Sequence, residues 1–111
     1  MAVQKKKFLA IIQARYSSSR FPGKVLKKFK NKSFLEILIM RLKKSKKINK
    51  IIVATSNNKL DKKIEDECKK LNIVCYRGSE NDVLDRFYKA AKRYKFKDII
   101  RVTADCPLID P

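Results

Sequence analysis

Residues 13–24 read QARYSSSRFPGK and bring Arg15, Arg20 and Lys24 together with three consecutive serines, Ser17, Ser18 and Ser19, ahead of a Pro22-Gly23 turn. Cationic side chains, hydroxyls and turn amides gathered on one loop can cradle a ligand that carries several negative charges. The same residues also describe an ordinary solvated basic turn. Two familiar phosphate cradles are excluded. Against G-x-x-x-x-G-K-[ST], Gly23 and Lys24 match, but Ser18 stands where the first glycine belongs and Val25 replaces the magnesium-binding hydroxyl. A G-x-G-x-x-G fingerprint cannot be built from Gly23 and Gly78 alone. Two further polar stretches could carry chemistry: RGSENDVLDR at 77–86 and TADCP at 103–107. In the first, Asp82 also reads as a helix N-cap, and Asp85 with Arg86 as a solvated helix start. In the second, Asp105 also reads as a capping or turn aspartate before Pro107.

The elements that must position these stretches alternate in type. Residues 8–12 (FLAII) form a short continuous apolar run, the pattern of a buried strand. Ser33 and Glu36 have the capping-box spacing ahead of a helix over 34–44, with Leu35, Leu38, Ile39 and Leu42 on one face. Residues 51–56 (IIVATS) read as a second strand. A helix within 57–72 then carries Leu60, Ile64, Cys68 and Leu71 at helical spacing, with Asn72 suited to its exit. Residues 73–76 (IVCY) make a third strand, and a helix over 83–94 turns Leu84, Phe87, Ala91 and Tyr94 inward. Residues 98–105 (DIIRVTAD) are the fourth strand and its exit.

This βαβαβαβ order predicts an α/β fold, a parallel sheet with helices on both faces, because parallel strands need crossover connections. The strands at 8–12 and 99–102 are expected to be adjacent and central. Ligands of such sheets sit outside the carboxyl ends of the strands, so the polar stretches should converge on one edge.

The 111 residues allow one domain, and a chain of this size can bury roughly two thirds of its unfolded surface. The formal net charge of +18 is compatible with a nucleic-acid or acidic-membrane footprint. However, the lysines are spread over 5–7, 27–32, 43–50, 62–70 and 89–97 and form no single stripe, which favours a solvated basic surface over a nucleic-acid partner. Histidine is absent, which excludes His-containing zinc-ligand sets and His-based triads. Cys68, Cys75 and Cys106 form no CxxC pair and suit a reducing, cytoplasmic setting. The basic start leads into an apolar run too short for a signal peptide, and no stretch reaches transmembrane length, so no membrane association is expected. Cys68 and Cys75 read as core residues, and Tyr16, Tyr76 and Tyr88 as packing groups.

Taken in order at strand ends, ARYSSSRFPGKVL, ATS, RGSENDVLDRFYKAA and RVTADCPLIDP resemble the cytidylyltransferases that make CMP-activated sugar acids. These are the CMP-KDO synthetases and acylneuraminate cytidylyltransferases, with the nearest likeness to spore coat polysaccharide biosynthesis protein F-like proteins. The resemblance covers essentially the whole chain, and the A-R-x-x-S-x-R-x-P-G-K spacing is specific. It implies the Rossmann-like nucleotide-diphospho-sugar transferase fold. It also implies that the first loop wraps the triphosphate of CTP through Arg15, Ser18, Arg20 and Lys24, with Arg15 and Lys24 counted as catalytic. One cation ~4 Å from a phosphate charge is worth on the order of 4 kcal/mol at an effective dielectric of ~20, before desolvation.

By the same resemblance Arg77 and Ser79 lie near base and ribose, and Asp105, counted as catalytic, binds Mg2+, a hard ion suited to oxygen ligands beside phosphates. Cys106 has no histidine to activate it, and the family forms no enzyme thioester. The implied reaction is attack of an acceptor oxygen of a sugar acid on the alpha phosphate of CTP, with pyrophosphate leaving. Family members run about twice this length, and their second half supplies the acceptor pocket, a further metal-binding acid and the contacts of a homodimer. Residues 1–111 are therefore expected to be the N-terminal, nucleotide-binding half: a fragment, a truncated product or a half-domain, inactive alone. A reading from another class is a non-catalytic basic module of the same fold that binds nucleotide or nucleic acid.

Overall fold

The computed structural model describes residues 8–16, 24–94 and 98–103. Four parallel strands form one sheet in the order β5-β4-β1-β6. They are β1 (Phe8–Gln13), β4 (Ile48–Ser56), β5 (Val74–Gly78) and β6 (Asp98–Thr103). A two-stranded antiparallel ribbon, β2 (Lys28–Phe29) and β3 (Lys32–Ser33), follows the first loop. Among the described residues there are also three α-helices: α1 (Phe34–Lys43), α2 (Lys62–Leu71) and α3 (Val83–Tyr94).

The expected βαβαβαβ order is what the main sheet shows, and β1 and β6 are adjacent in register from Phe8↔Asp98 to Gln13↔Thr103. β1 is central, lying between β4 and β6, whereas β6 has β1 as its one neighbour among the described residues. The expectation that both strands are central therefore holds for β1 and not for β6.

Continuous apolar strands follow from burial on both faces. On one face, Ile12 and Val53 pack with Leu35 and Ile39 of α1 and with Ile64 and Cys68 of α2. On the other, Leu9, Ile11, Ile52 and Ala54 pack with Ala90 and Ala91 of α3. Cys68 is fully buried and Cys75 packs against its cluster, as expected of core residues. The neighbouring Cys75 thiol and burial hold the Cys68 thiol above its ordinary range, and the neighbouring Cys68 lowers that of Cys75.

The helix ends are set by local chemistry. Ser33 Oγ accepts from the Glu36 amide at 3.0 Å and caps α1. Its own proton goes to Glu67 Oε2 at 2.5 Å, so a side chain of α2, and not Glu36, completes the cap. Asn72 ends α2 in the left-handed region at φ 58°, which a short polar side chain tolerates. The ribbon turn also uses positive φ, at Lys30 and Asn31.

Two side chains depart from the helical stripes expected of them. Leu60 lies in a 3-10 turn (Lys59–Asp61) ahead of α2 and is exposed, because the buried residue of that turn is Asp61. Leu84 is 67% exposed, and the buried residue at that end of α3 is Arg86. Both departures occur where helices begin at the carboxyl edge of the sheet, and there the interior is polar.

Replacing Ser33 by alanine removes the cap of α1 and leaves Glu67 without its partner. Urea denaturation is expected to show a loss of about 1–2 kcal/mol, the upper range for an N-cap.

Candidate functional site

All four strands of the sheet are parallel, so the loops after Gln13, Ser56, Gly78 and Thr103 leave from one edge. The centre of this edge is Asp61, a fully buried carboxylate. Its Oδ1 accepts from the Tyr16 amide at 2.7 Å. Its Oδ2 accepts from Arg15 Nε at 3.2 Å and from the Ser56 hydroxyl. Ser56 Oγ in turn accepts from the Asn58 amide at 3.1 Å. A buried carboxylate is tolerated only when such donors replace its water. Here those donors are the first two residues past Ala14 and the last residue of β4.

Arg15 also reaches the third loop. Nη1 donates to the Glu80 carbonyl at 3.4 Å, and Nη2 lies 3.5 Å from Glu80 Oε2. Asn58 Nδ2 donates to the same carboxylate oxygen at 2.9 Å. The loops at 14–16, 57–61 and 79–82 are thus cross-linked around one guanidinium, which is 19% exposed. The Tyr16 ring packs under the Lys63 ammonium at 4.7 Å.

Arg77, expected near base and ribose, has three acceptors within the chain. They are the carbonyls of Ser56 at 2.9 Å and Asn58 at 2.7 Å, and Glu65 Oε1 at 3.3 Å. Ser79 Oγ accepts from the Asp82 amide at 3.1 Å, and Asp82 Oδ1 caps α3 by accepting from the Asp85 amide at 2.9 Å. The N-cap reading of Asp82 therefore describes its contact; Arg77, in β5, braces the loop after β4, and Ser79 braces the loop it sits in.

Arg86 is not part of a solvated helix start. It is 2% exposed, with Nε and Nη2 donating to Gln13 Oε1 at 3.2 and 3.1 Å and Nη1 donating to the Ser79 carbonyl at 2.7 Å. Burial, and then the charge of Arg15, lowers its pKa from the usual guanidinium range, while Asp61 acts in the opposite sense. Gly78 makes room for it. A Cβ there would lie 2.9 Å from Tyr76 Cε2 and 3.1 Å from Arg86 Cγ.

Of the remaining expected site residues, Lys24 opens a 3-10 turn (Lys24–Leu26) at the far end of the first loop. Ser18, Arg20, Asp105 and Cys106 lie outside the described residues. Among the described residues no cluster of three or more His, Cys, Asp or Glu side chains could hold a metal ion. Also among them, no helix is long and apolar enough to cross a membrane. Asp61 and Gln13 are the site residues that sequence reasoning missed; Arg86, read both as a candidate of the second polar stretch and as a solvated helix start, is buried. Arg86 shares a helical stripe with Phe87, Ala90, Ala91 and Tyr94, a signal that apolar periodicity alone passes over.

The arrangement is that of a doubly wound α/β domain whose carboxyl edge gathers cations on anchored loops. A cytidylyltransferase family model matches residues 9–111, and the chain belongs to that family. An uncharacterized protein of Methanocaldococcus jannaschii is 52% identical over 102 residues, 92% of this chain and 42% of that protein. The spore coat polysaccharide biosynthesis protein SpsF of Bacillus subtilis (strain 168) is 42% identical over 107 residues, 93% of this chain and 45% of that protein. Among solved structures, a cytidylyltransferase from Leptospira borgpetersenii superposes with a TM-score of 0.86 at 41% identity, covering 95% of this chain and 44% of that one. CMP:2-keto-3-deoxy-manno-octonic acid synthetase complexed with CTP gives a TM-score of 0.77 at 22% identity, covering 96% of this chain and 43% of that one; this likeness establishes the Rossmann-like fold. The chain spans less than half the length of these proteins.

Asp61→Asn keeps the size of the side chain but removes the charge that Arg15, Ser56 and the Tyr16 amide share. Thermal and urea unfolding are expected to show a loss of about 2–3 kcal/mol, the range for hydrogen bonds to a charged group. A loss below about 0.5 kcal/mol would mean that the edge is not held together through this carboxylate.

Proposed function

We propose that this chain is the nucleotide-binding half of a CTP-dependent cytidylyltransferase that transfers CMP to a sugar acid in surface polysaccharide or glycan biosynthesis. The observation that carries the reading is the anchored first loop. Asp61 fixes Arg15 and Tyr16 at its start, and Lys24 opens the turn at its end, within a family match that spans residues 9–111. The CTP bound to the CMP:2-keto-3-deoxy-manno-octonic acid synthetase and the polysaccharide role in the name of the Bacillus relative support the choice of substrate class.

In this reading Arg15, Ser18, Arg20 and Lys24 hold the phosphates of CTP. An oxygen of the acceptor attacks the alpha phosphorus, the bond to the bridging oxygen breaks, and pyrophosphate leaves with that electron pair. The protein contributes position and charge. Preorganised cations stabilise the negative charge that builds on the phosphate oxygens, and the Asp61 anchor keeps Arg15 in place before the ligand arrives. Arg77 and Ser79 shape the loops beside base and ribose. Asp105 is the proposed ligand of Mg2+, which would offset phosphate charge when bound. The acceptor pocket and the contacts of a homodimer are assigned to the part of the relatives that this chain does not span. The proposed setting is cytoplasmic, where CTP is made.

Calorimetric titration is expected to show that the 111-residue chain binds CTP in preference to ATP. Lys24→Ala is expected to weaken CTP binding by about 1.5–3 kcal/mol, roughly ten- to a hundredfold or more. Pyrophosphate release with CTP, magnesium and a panel of sugar acids is expected to stay at background. Equal affinity for the two nucleotides and no effect of Lys24→Ala would reduce the loop to a basic turn. Turnover at the rate of a full-length relative would show that the half-site assignment is wrong.

A further inference from the structure

Arg86 is a buried cation whose three hydrogen bonds all go to neutral acceptors, two to Gln13 Oε1 and one to the Ser79 carbonyl. Among the described residues no carboxylate lies within ion-pair distance of it. A guanidinium has five N–H donors, so two remain unused. Burying a charge without an ion-pair partner is costly; Arg15 close by adds to that cost, and Asp61, beyond ion-pair distance, offsets part of it.

The partner of Arg86 is equally unbalanced. Gln13 is 6% exposed, and its Nε2 is buried without a hydrogen-bond partner among the described residues. The orientation of this amide is not open to a flip. A guanidinium only donates, so it must face the oxygen, and the NH2 group is left pointing away from it. The Gln13–Arg86 pair therefore offers unused donors, a full positive charge and no free anionic acceptor. An apolar group would leave the donors unsatisfied, and a cation would be repelled. An anionic oxygen answers both deficits. The pair also sits where such a ligand is expected, since Gln13 ends the central strand two residues before Arg15, and Gly78 leaves Arg86 the room to reach it.

We propose that Gln13 Nε2 donates to an anionic oxygen of the nucleotide's phosphate chain, and that Arg86 is the positioning residue that orients the Gln13 amide and supplies the compensating charge. The inference rests on the nucleotide reading above and adds to it two residues that lie outside the first loop's cation set.

The test uses the 111-residue chain, with CTP and inorganic tripolyphosphate as probes. Gln13→Glu places a carboxylate against Arg86, which neutralises the pair and removes the free donors while keeping side-chain volume. Its melting temperature is expected to be equal to or above that of the unchanged chain, and its affinity for both probes to fall at least tenfold. A merely structural Gln13–Arg86 contact predicts the opposite, undiminished affinity, and that result overturns the proposal. A loss confined to CTP puts the pair at base or ribose and overturns the phosphate assignment.

Arg86→Lys is the second variant, retaining the charge but releasing the two-point hold on Gln13. It is expected to weaken both probes by a smaller factor, and unchanged binding by a folded variant also overturns the proposal. If the unchanged chain binds neither probe, the nucleotide reading itself falls and this inference with it.

Discussion

The carboxyl edge of the sheet depends on one buried charge. Asp61 cannot be solvated where it sits, so its two oxygens draw in a backbone amide, a guanidinium and a hydroxyl from residues up to 46 positions away in sequence. Once these are in place, the path of the chain leaving β1 is set through Tyr16. Arg15 in turn holds the third loop through Glu80. Arg77 makes the second set of ties, binding the carbonyls of the loop that carries Asp61. The result is a set of cross-linked loops at the carboxyl edge, with Arg15 at their junction. A ligand that binds there meets a guanidinium already oriented and partly desolvated, which lowers the ordering cost of binding.

Polar groups at this edge divide into two kinds. Around Asp61 the donors and acceptors are matched within the chain. Around Gln13 and Arg86 they are not, and the excess is of donors and positive charge. The contrast separates groups that hold the fold from groups that await a partner. The apolar clusters on the two faces of the sheet supply the burial, and the polar edge gives up some of it to keep two arginines and an aspartate at strand ends.

Much of the fold was legible in the sequence because each signal was local. Continuous runs such as 8–12 and 51–56 mark strands covered on both faces, and the Ser33 cap and the Asn72 exit are set by neighbouring residues. Leu60 and Leu84 were misassigned because helical spacing says which residues share a face, not whether a helix end overhangs a polar edge. The β2–β3 ribbon escaped because its ladders are two residues long, with Lys30 and Asn31 forming the turn. Arg15 was legible as a candidate through its place in a run of cations and serines. Asp61 and Gln13 were not, and Arg86 was legible as a candidate but not as a buried residue, since a polar residue reads as exposed until its partner is known. Gln13 and Arg86 are 73 positions apart, and no local pattern joins them.

The central claim is that the Asp61-anchored edge is the nucleotide site. A crystal structure of the chain grown with CTP tests it most directly. The account predicts the triphosphate between Arg15 and the turn at Lys24, with the Arg15–Asp61 contact and the Tyr16 amide bond to Asp61 both retained. CTP bound at another face, or bound here only after Arg15 has left Asp61, would contradict it.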